Sequence, residues 1–110
     1  MVDLRNQIDA INIVRVYLKV LKQAGIIIDK AFLYGSYARN EANEDSDIDL
    51  MLVSRLFDTD DDYQLSKPWN YTTKVDHRIE PISIGLKQFL SDDTSPIIEI
   101  VRQTGIEIQI

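Results

Sequence analysis

Two aspartates separated by one apolar residue are the first candidates for chemistry in this sequence. Asp47 and Asp49 flank Ile48 where an apolar segment begins. If that segment is a strand, side chains at i and i+2 point to the same face, about 6–7 Å apart along the backbone. Two carboxylates on one face repel each other unless a cation lies between them, and Mg²⁺ binds carboxylate together with phosphate oxygens. The pair therefore predicts an exposed Mg²⁺ site, or else two solvated acids that begin a strand.

A glycine–serine pair is the second candidate. Gly35 and Ser36 follow an apolar segment and precede a segment that suits a short helix. Glycine lets an anion approach the backbone, and the free N–H groups and dipole of a helix N-terminus favour negative charge. The Ser36 hydroxyl would add a hydrogen bond. The pair predicts a phosphate site or an ordinary turn and N-cap; the P-loop pattern is absent.

The spacing between the two candidates links them. Ten residues, 37–46, separate Ser36 from Asp47. This length allows one short helix and a return to an adjacent strand. A phosphate site and a metal pair would then face each other at one end of a sheet. A nucleoside triphosphate chelated to Mg²⁺ fits such an arrangement.

The elements that must position these residues follow from the apolar pattern. Apolar residues recur at three- and four-residue steps over residues 4–24, which predicts an amphipathic helix. Asp3 is the expected N-cap and Gly25 the expected residue just past its end. β-branched and aromatic residues then predict a strand over 30–34 that is buried on both faces.

Further along the chain, residues 36–42 suit a short helix that has Ser36 at or near its start. Residues 47–54 predict a second strand, open to solvent at its beginning and buried at its end. Residues 55–73 are compatible with either a short helix near 59–66 or a mobile loop.

The C-terminal third of the sequence predicts three more elements. A third strand is expected over 75–84, where Pro81 favours an edge position or a bulge. Ser95 and Pro96 indicate the start of a helix that ends at Gly105, and a short last strand is possible after it. The order predicts an α/β or α+β domain, with a small mixed sheet and helices packed on it.

Composition limits the class of protein. The chain has 110 residues and a formal charge of −6, which fits one domain over residues 1–110 and argues against direct nucleic-acid binding. It has no cysteine and one histidine, which excludes disulfides, thiolate zinc sites and cysteine nucleophiles. No apolar stretch approaches the length of a membrane span. We expect a soluble, cytoplasmic protein without a membrane partner.

The segment GSYARNEANEDSDIDLMLV resembles the Gly-Ser-x10-Asp-x-Asp signature of the DNA polymerase β-like nucleotidyltransferase superfamily. The chain is most similar to the minimal nucleotidyltransferases, the small stand-alone members, and the resemblance extends over nearly its whole length. It includes the acid-bearing third strand, RIEPISI, and a C-terminal segment like SPIIEIVRQTGIEI. The superfamily usually has glycine where Asn40 stands, and asparagine tolerates left-handed backbone better than other residues with a side chain.

The resemblance implies a role for each matched residue. Gly35 and Ser36 would hold the β- and γ-phosphates. Independently of the resemblance, Arg39 lies three residues after Ser36 on the predicted short helix, which predicts either a contact with the triphosphate or an exposed surface arginine. Asp47 and Asp49 would be catalytic residues that bind two Mg²⁺ ions.

Glu80 matches the third catalytic and metal-binding carboxylate, because its flanks resemble the family strand. It would complete the site and help to deprotonate the acceptor hydroxyl. Asp76, four residues earlier on the predicted strand, is the rival for this role.

The activity that the resemblance implies is Mg²⁺-dependent transfer of a nucleoside monophosphate, with AMP from ATP as the leading choice, to a hydroxyl, with release of pyrophosphate. Minimal nucleotidyltransferases resemble the antitoxin of a toxin–antitoxin pair whose toxin is a helical HEPN-type protein, and the acceptor would then be a tyrosine on that partner. The alternative is a non-catalytic, nucleotide-binding interaction module that neutralises a partner by contact. The sequence leaves open the acceptor, the base preference, the number of nucleotides transferred and the oligomeric state.

Overall fold

The computed structural model describes residues 5–110 and shows a mixed four-stranded sheet with helices packed on it. In chain order, the helices and strands are α1 (Arg5–Gln23), β1 (Lys30–Tyr34), β2 (Ile48–Ser54), α2 (Asp62–Ser66), β3 (Ile79–Gly85), α3 (Leu86–Ser91), α4 (Pro96–Thr104) and β4 (Ile106–Ile108). The predicted fold class, a small α+β domain with a mixed sheet, is confirmed.

The sheet has the strand order β3-β2-β1-β4. β1 pairs antiparallel with both β2 and β4, whereas β2 and β3 are parallel. Parallel neighbours need a long crossover, and residues 55–78 supply it through α2 and two 3-10 segments, Arg55–Phe57 and Lys67–Lys74. The helical alternative for the undecided region is therefore confirmed.

The sheet is covered by an apolar layer on each face. One face packs against α1, and its largest buried side chains from the strands are Leu33, Ile48, Leu50, Leu52 and Ile79. The other face packs against α3 and α4, and its buried side chains are Met51, Val53, Ile84, Ile98 and Val101. Successive residues of β2 therefore alternate between two hydrophobic environments, as the period of a strand requires.

The predicted C-terminal end of α1, with Gly25 just past it, is confirmed. Gly25 has φ +82°, and the N–H of Ile26 donates to the carbonyl of Leu21 at 2.9 Å. The N–H of Gly25 donates to the carbonyl of Lys22 at 3.0 Å, which completes a Schellman motif. The predicted N-cap, Asp3, lies outside the described residues.

The predicted start of α4 is confirmed, whereas the predictions for β1 and β3 are confirmed in part. The Ser95 side chain accepts a hydrogen bond from the N–H of Ile98, with Pro96 in the first turn. β1 has the predicted bounds, but only one of its faces is fully buried. Pro81 lies on an edge strand, as its missing N–H favours.

One predicted element is absent, and another is shorter than predicted. Residues 36–42 form turns and no helix, because Asn40 adopts φ +57° and ends the winding after one turn. β3 begins at Ile79 instead of residue 75, because the Asp76 carboxylate accepts the N–H of Arg78 at 2.9 Å and holds a turn there.

Among the described residues, no helix is long and apolar enough to cross a membrane.

Candidate functional site

Three side chains from three strands form a row across one end of the sheet. Tyr34 is the Cα partner of Asp49 on β1 and β2, and Asp49 is the Cα partner of Glu80 on β2 and β3. Directly paired residues project to the same face. The row therefore lies on the face that carries α3 and α4, near the C-terminal end of β1 and the N-terminal ends of β2 and β3.

Asp47 lies just outside β2, and together with Asp49 and Glu80 it forms an acidic row. It is exposed and precedes Asp49 by two residues, and Ile48 between them is fully buried on the other face. The carboxyl groups of Asp47 and Glu80 are within hydrogen-bonding reach of each other. The structure thus brings together the three acids that the sequence analysis selected, although they come from separate parts of the chain.

The crowding of these carboxyl groups shifts the pKa values of Asp49 and Glu80. Burial raises the pKa of the Asp49 carboxyl above its usual range, and the charge of Asp47 raises it further while Arg39 opposes them. Burial also raises the pKa of Glu80, together with the charges of Asp47 and Asp49 and the hydrogen bond to Asp47. Acids whose ionised forms are disfavoured in this way gain most from a nearby cation.

Gly35 lies against the Asp49 carboxylate. It has φ +74°, and a Cβ at this position would collide with the side-chain oxygen Oδ2 of Asp49. Both the left-handed backbone and the space next to Asp49 therefore favour glycine at this position. The absence of a side chain leaves the backbone at Gly35 directly beside the acidic row.

The residues after Gly35 make a single helical turn. The N–H of Arg39 donates to the carbonyl of Gly35 at 3.1 Å, and the N–H of Glu41 donates to the carbonyl of Ser36 at 2.9 Å. Asn40 closes the turn in the left-handed region, which asparagine tolerates better than other residues with a side chain. The N–H of Ser36 and those of the two residues after it are not used by the turn's own hydrogen bonds, and they lie at its positive end.

Arg39 is the cation of this turn. Its Nε donates to Glu41 Oε2 at 3.1 Å, and both side chains are largely exposed. An exposed pair of this kind holds its partner weakly. Because Arg39 also lowers the pKa of Asp49 through its charge, it lies within electrostatic range of the acidic row.

Asp76, the rival of Glu80, is engaged elsewhere. Arg78 donates to its carboxylate through Nη2 at 2.8 Å and through Nε at 3.0 Å. These bonds lower the pKa of Asp76. Asp76 also precedes β3 instead of lying on it, so the premise that it shares a strand face with Glu80 is wrong.

Two residues of the site were not selected from the sequence. Tyr34 pairs with Asp49, and burial and then the charges of Asp49 and Glu80 raise its pKa to about 12, so its hydroxyl lies in their field. Arg78 carried no role; its position two residues after one acid and two before another was the available signal.

The donor set suits Mg²⁺ in part. Carboxylate oxygens are its preferred protein ligands, and Mg²⁺ usually takes one or two carboxylates and completes its shell with water and substrate phosphates. Within residues 5–110, no three Asp, Glu, His or Cys side chains are arranged so that they could hold a metal ion together. Asp47, Asp49 and Glu80 are thus neighbours without being a finished coordination shell, and their metal role stays a prediction.

Comparisons with known proteins agree with this geometry. The chain shares its fold with a solved structure described as "a putative nucleotidyltransferase from Sulfolobus solfataricus", with a TM-score of 0.65 and 12% identity over 93% of this chain and 81% of that chain. A search of curated proteins finds no match. The family model described as a nucleotidyltransferase domain matches residues 14–108, a range that includes every residue of the acidic row. Because that match extends over most of its length, the chain belongs to the nucleotidyltransferase domain family.

Proposed function

We propose that this nucleotidyltransferase moves a nucleoside monophosphate, AMP from ATP, onto a hydroxyl group of a partner protein in a Mg²⁺-dependent reaction. The observation that carries the proposal is the register of β2 and β3, which pairs Asp49 with Glu80, while Asp49 lies beside Gly35 and Asp47 precedes Asp49 by two residues. Such a group of acids next to a glycine-opened turn suits a triphosphate and its metal ions.

The reaction needs one bond to form and one to break. The acceptor oxygen attacks the α-phosphorus of ATP, the bond from that phosphorus to the bridging oxygen of the β-phosphate breaks, and pyrophosphate leaves. Mg²⁺, when bound, neutralises charge on the attacking and leaving oxygens. Asp47 and Asp49 would hold it, and Glu80, which pairs with Asp49 across the two strands, would accept the proton of the acceptor hydroxyl.

The turn that starts at Gly35 would bind the β- and γ-phosphates. The backbone N–H groups at the start of the turn and the Ser36 hydroxyl would donate to phosphate oxygens. Arg39 would exchange its exposed bond to Glu41 for a phosphate contact, since phosphate can receive two parallel guanidinium hydrogen bonds.

Charge supports a protein acceptor over a nucleic acid. The chain has a net charge of −6, and Glu44 and Asp45, close to the acidic row in sequence, are exposed. A polynucleotide would be repelled here because phosphate affinity depends on clustered Lys and Arg. A helical HEPN-type toxin is a protein partner that would offer such a hydroxyl, and this chain would then be its antitoxin.

The test is a transfer assay with ATP labelled at the α-phosphate. The protein, Mg²⁺ and the product of the adjacent gene are incubated together, and label on the partner is measured. Wild type is compared with Asp47→Asn, while Asp45→Asn serves as a matched control because it removes an exposed acid two residues away. We expect label with wild type and with Asp45→Asn, and a loss of about 100-fold or more with Asp47→Asn.

Two results would contradict the proposal. Equal labelling by wild type and Asp47→Asn would exclude Asp47 from the reaction. Neutralisation of the partner without label, and equally by Asp47→Asn, would support the non-catalytic interaction module instead.

A further inference from the structure

The connecting segment, residues 37–46, runs from the Gly35–Ser36 pair to Asp47, so its shape determines how the proposed phosphate and metal sites face each other. From one side, α1 holds it: Gln7 Nε2 donates to the carbonyls of Tyr37 and Ala38, each at 3.1 Å. Asn6 Nδ2 donates to the carbonyl of Ala42 at 3.1 Å. Side chains that donate to loop carbonyls restrict the backbone where regular secondary structure is missing.

Arg78 holds the connecting segment from the other side. Its Nη1 donates to the Tyr37 hydroxyl at 3.0 Å and to the carbonyl of Glu44 at 2.9 Å. The Tyr37 hydroxyl in turn donates to the carbonyl of Asn43 at 2.9 Å. A single guanidinium is thus bonded to both ends of the segment.

The same guanidinium is fixed on the β3 side. Its Nε and Nη2 donate to the two carboxylate oxygens of Asp76, and only 22% of the Arg78 side chain is exposed. The carbonyl of Arg78 accepts the N–H of Ile48 at 2.8 Å. Ile48 lies between the two aspartates, and Glu80 follows Arg78 by two residues. Arg78 therefore bonds the first residue of β2 and directly precedes β3, the two strands that carry the acids.

From these contacts we propose that Arg78 is a positioning residue, which sets the placement of Asp47 relative to Glu80 by clamping the connecting segment to the entrance of β3. The role rests on the proposed function, because it concerns how well the acidic row receives Mg²⁺ and ATP. The contacts that carry this role are all to the protein itself, at Asp76, Tyr37 and Glu44.

The chemistry of the side chain explains why arginine is needed. The planar guanidinium presents five donors in a rigid fork, and four of its contacts here run in three directions, to Asp76, Tyr37 and Glu44. Lysine keeps the charge but has one nitrogen, so it cannot reach all of these acceptors together. Arg78→Lys therefore separates the clamp from the charge.

The experiment measures two quantities in the full chain. The first is the affinity for Mg²⁺·ATP by calorimetric titration, at a temperature where each variant is folded. The second is hydrogen exchange of the amides in residues 37–46. Arg55→Lys is the matched control, since Arg55 also bonds an aspartate, Asp29 at 3.1 Å, but at the opposite end of β2. Tyr37→Phe is a second clamp variant that alters no charge.

We expect Arg78→Lys to weaken Mg²⁺·ATP binding by about 10-fold or more and to speed exchange in residues 37–46, as losses of supporting contacts commonly do. Tyr37→Phe should change both quantities in the same direction, and Arg55→Lys should change neither. In an Asp47→Asn background, Arg78→Lys should have little further effect on affinity, because the placement of Asp47 then no longer matters, whereas a loss as large as in wild type would contradict the positioning role.

The outcomes distinguish this role from the proposed function. If wild type does not bind Mg²⁺·ATP, the proposed function falls and the positioning role falls with it. If wild type binds and Arg78→Lys and Tyr37→Phe bind equally well, the positioning role alone is overturned. Unchanged exchange in residues 37–46 would also overturn it.

Discussion

Asp49 and Glu80 are Cα partners on the parallel strands β2 and β3, although 30 residues of chain lie between them. The neighbouring pair, Ile48 and Ile79, is fully buried on the opposite face. A shift of one residue would turn Glu80 into the core side and expose Ile79, which burial opposes. The apolar register therefore determines that the acids share a face.

Asp49→Asn should stabilise the protein in the absence of metal while abolishing transfer. The pKa of Asp49 is raised in the folded protein, so its contribution to stability is full below the unfolded value of about 3.9 and is lost as the pH rises through the folded pKa. At pH 7 the ionised carboxylate therefore destabilises the folded protein, and asparagine removes this destabilisation. Thermal unfolding without Mg²⁺ should give a higher Tm for the variant at pH 7, with a difference that shrinks toward pH 4.

A lower Tm for Asp49→Asn at pH 7 would show that the carboxylate makes stabilising contacts instead. Transfer activity in the same preparation, reduced by about 100-fold or more, separates the catalytic from the structural effect.

Gly35→Ala should impair the site far more than Gly25→Ala. Both glycines have positive φ, so alanine costs each about 1–2 kcal/mol of unfolding free energy. A Cβ at Gly35 would also collide with the Asp49 carboxylate, whereas a Cβ at Gly25 meets nothing within 4 Å. Urea unfolding and Mg²⁺·ATP titration of the two variants should show that both are less stable and that only Gly35→Ala loses binding.

Asn40→Gly should retain both stability and activity. Asn40 has φ +57°, a conformation that glycine adopts at least as readily, and the gain in the folded state is offset by the greater freedom of glycine in the unfolded chain. We expect a change within about 1 kcal/mol. Asn40→Val, which places a β-branched residue in the left-handed region, should lose about 1–2 kcal/mol or more in urea unfolding. Equal stability of the two variants would contradict the role of the turn.

Asp76→Asn should destabilise the protein only where Asp76 is ionised. The hydrogen bonds from Arg78 lower the pKa of Asp76, so its stabilising contribution is present above the unfolded value of about 3.9 and is lost as the pH falls through the folded pKa. The difference in unfolding free energy between wild type and Asp76→Asn should be full at pH 6–7 and decline below about pH 4. A difference that does not depend on pH would exclude the ion pair as its source.

The sequence by itself determined the elements whose signals are local. The end of α1 at Gly25 and the start of α4 at Ser95 depend on hydrogen bonds between residues three to five positions apart. The pair Asp47 and Asp49 is equally local, because a strand period of two puts both side chains on one face. These features were therefore predicted with nearly the right bounds.

Tertiary structure decided what joins distant segments. Whether Glu80 or Asp76 faces the aspartates depends on the register of two parallel strands, which long-range burial of Ile79 against α1's side of the sheet selects. Arg78 bonds residues 34 and 41 positions away, and no local pattern encodes such partners. Contacts of this kind form only once the crossover returns β3 to the sheet, since their energy depends on packing across the whole fold and not on neighbouring residues.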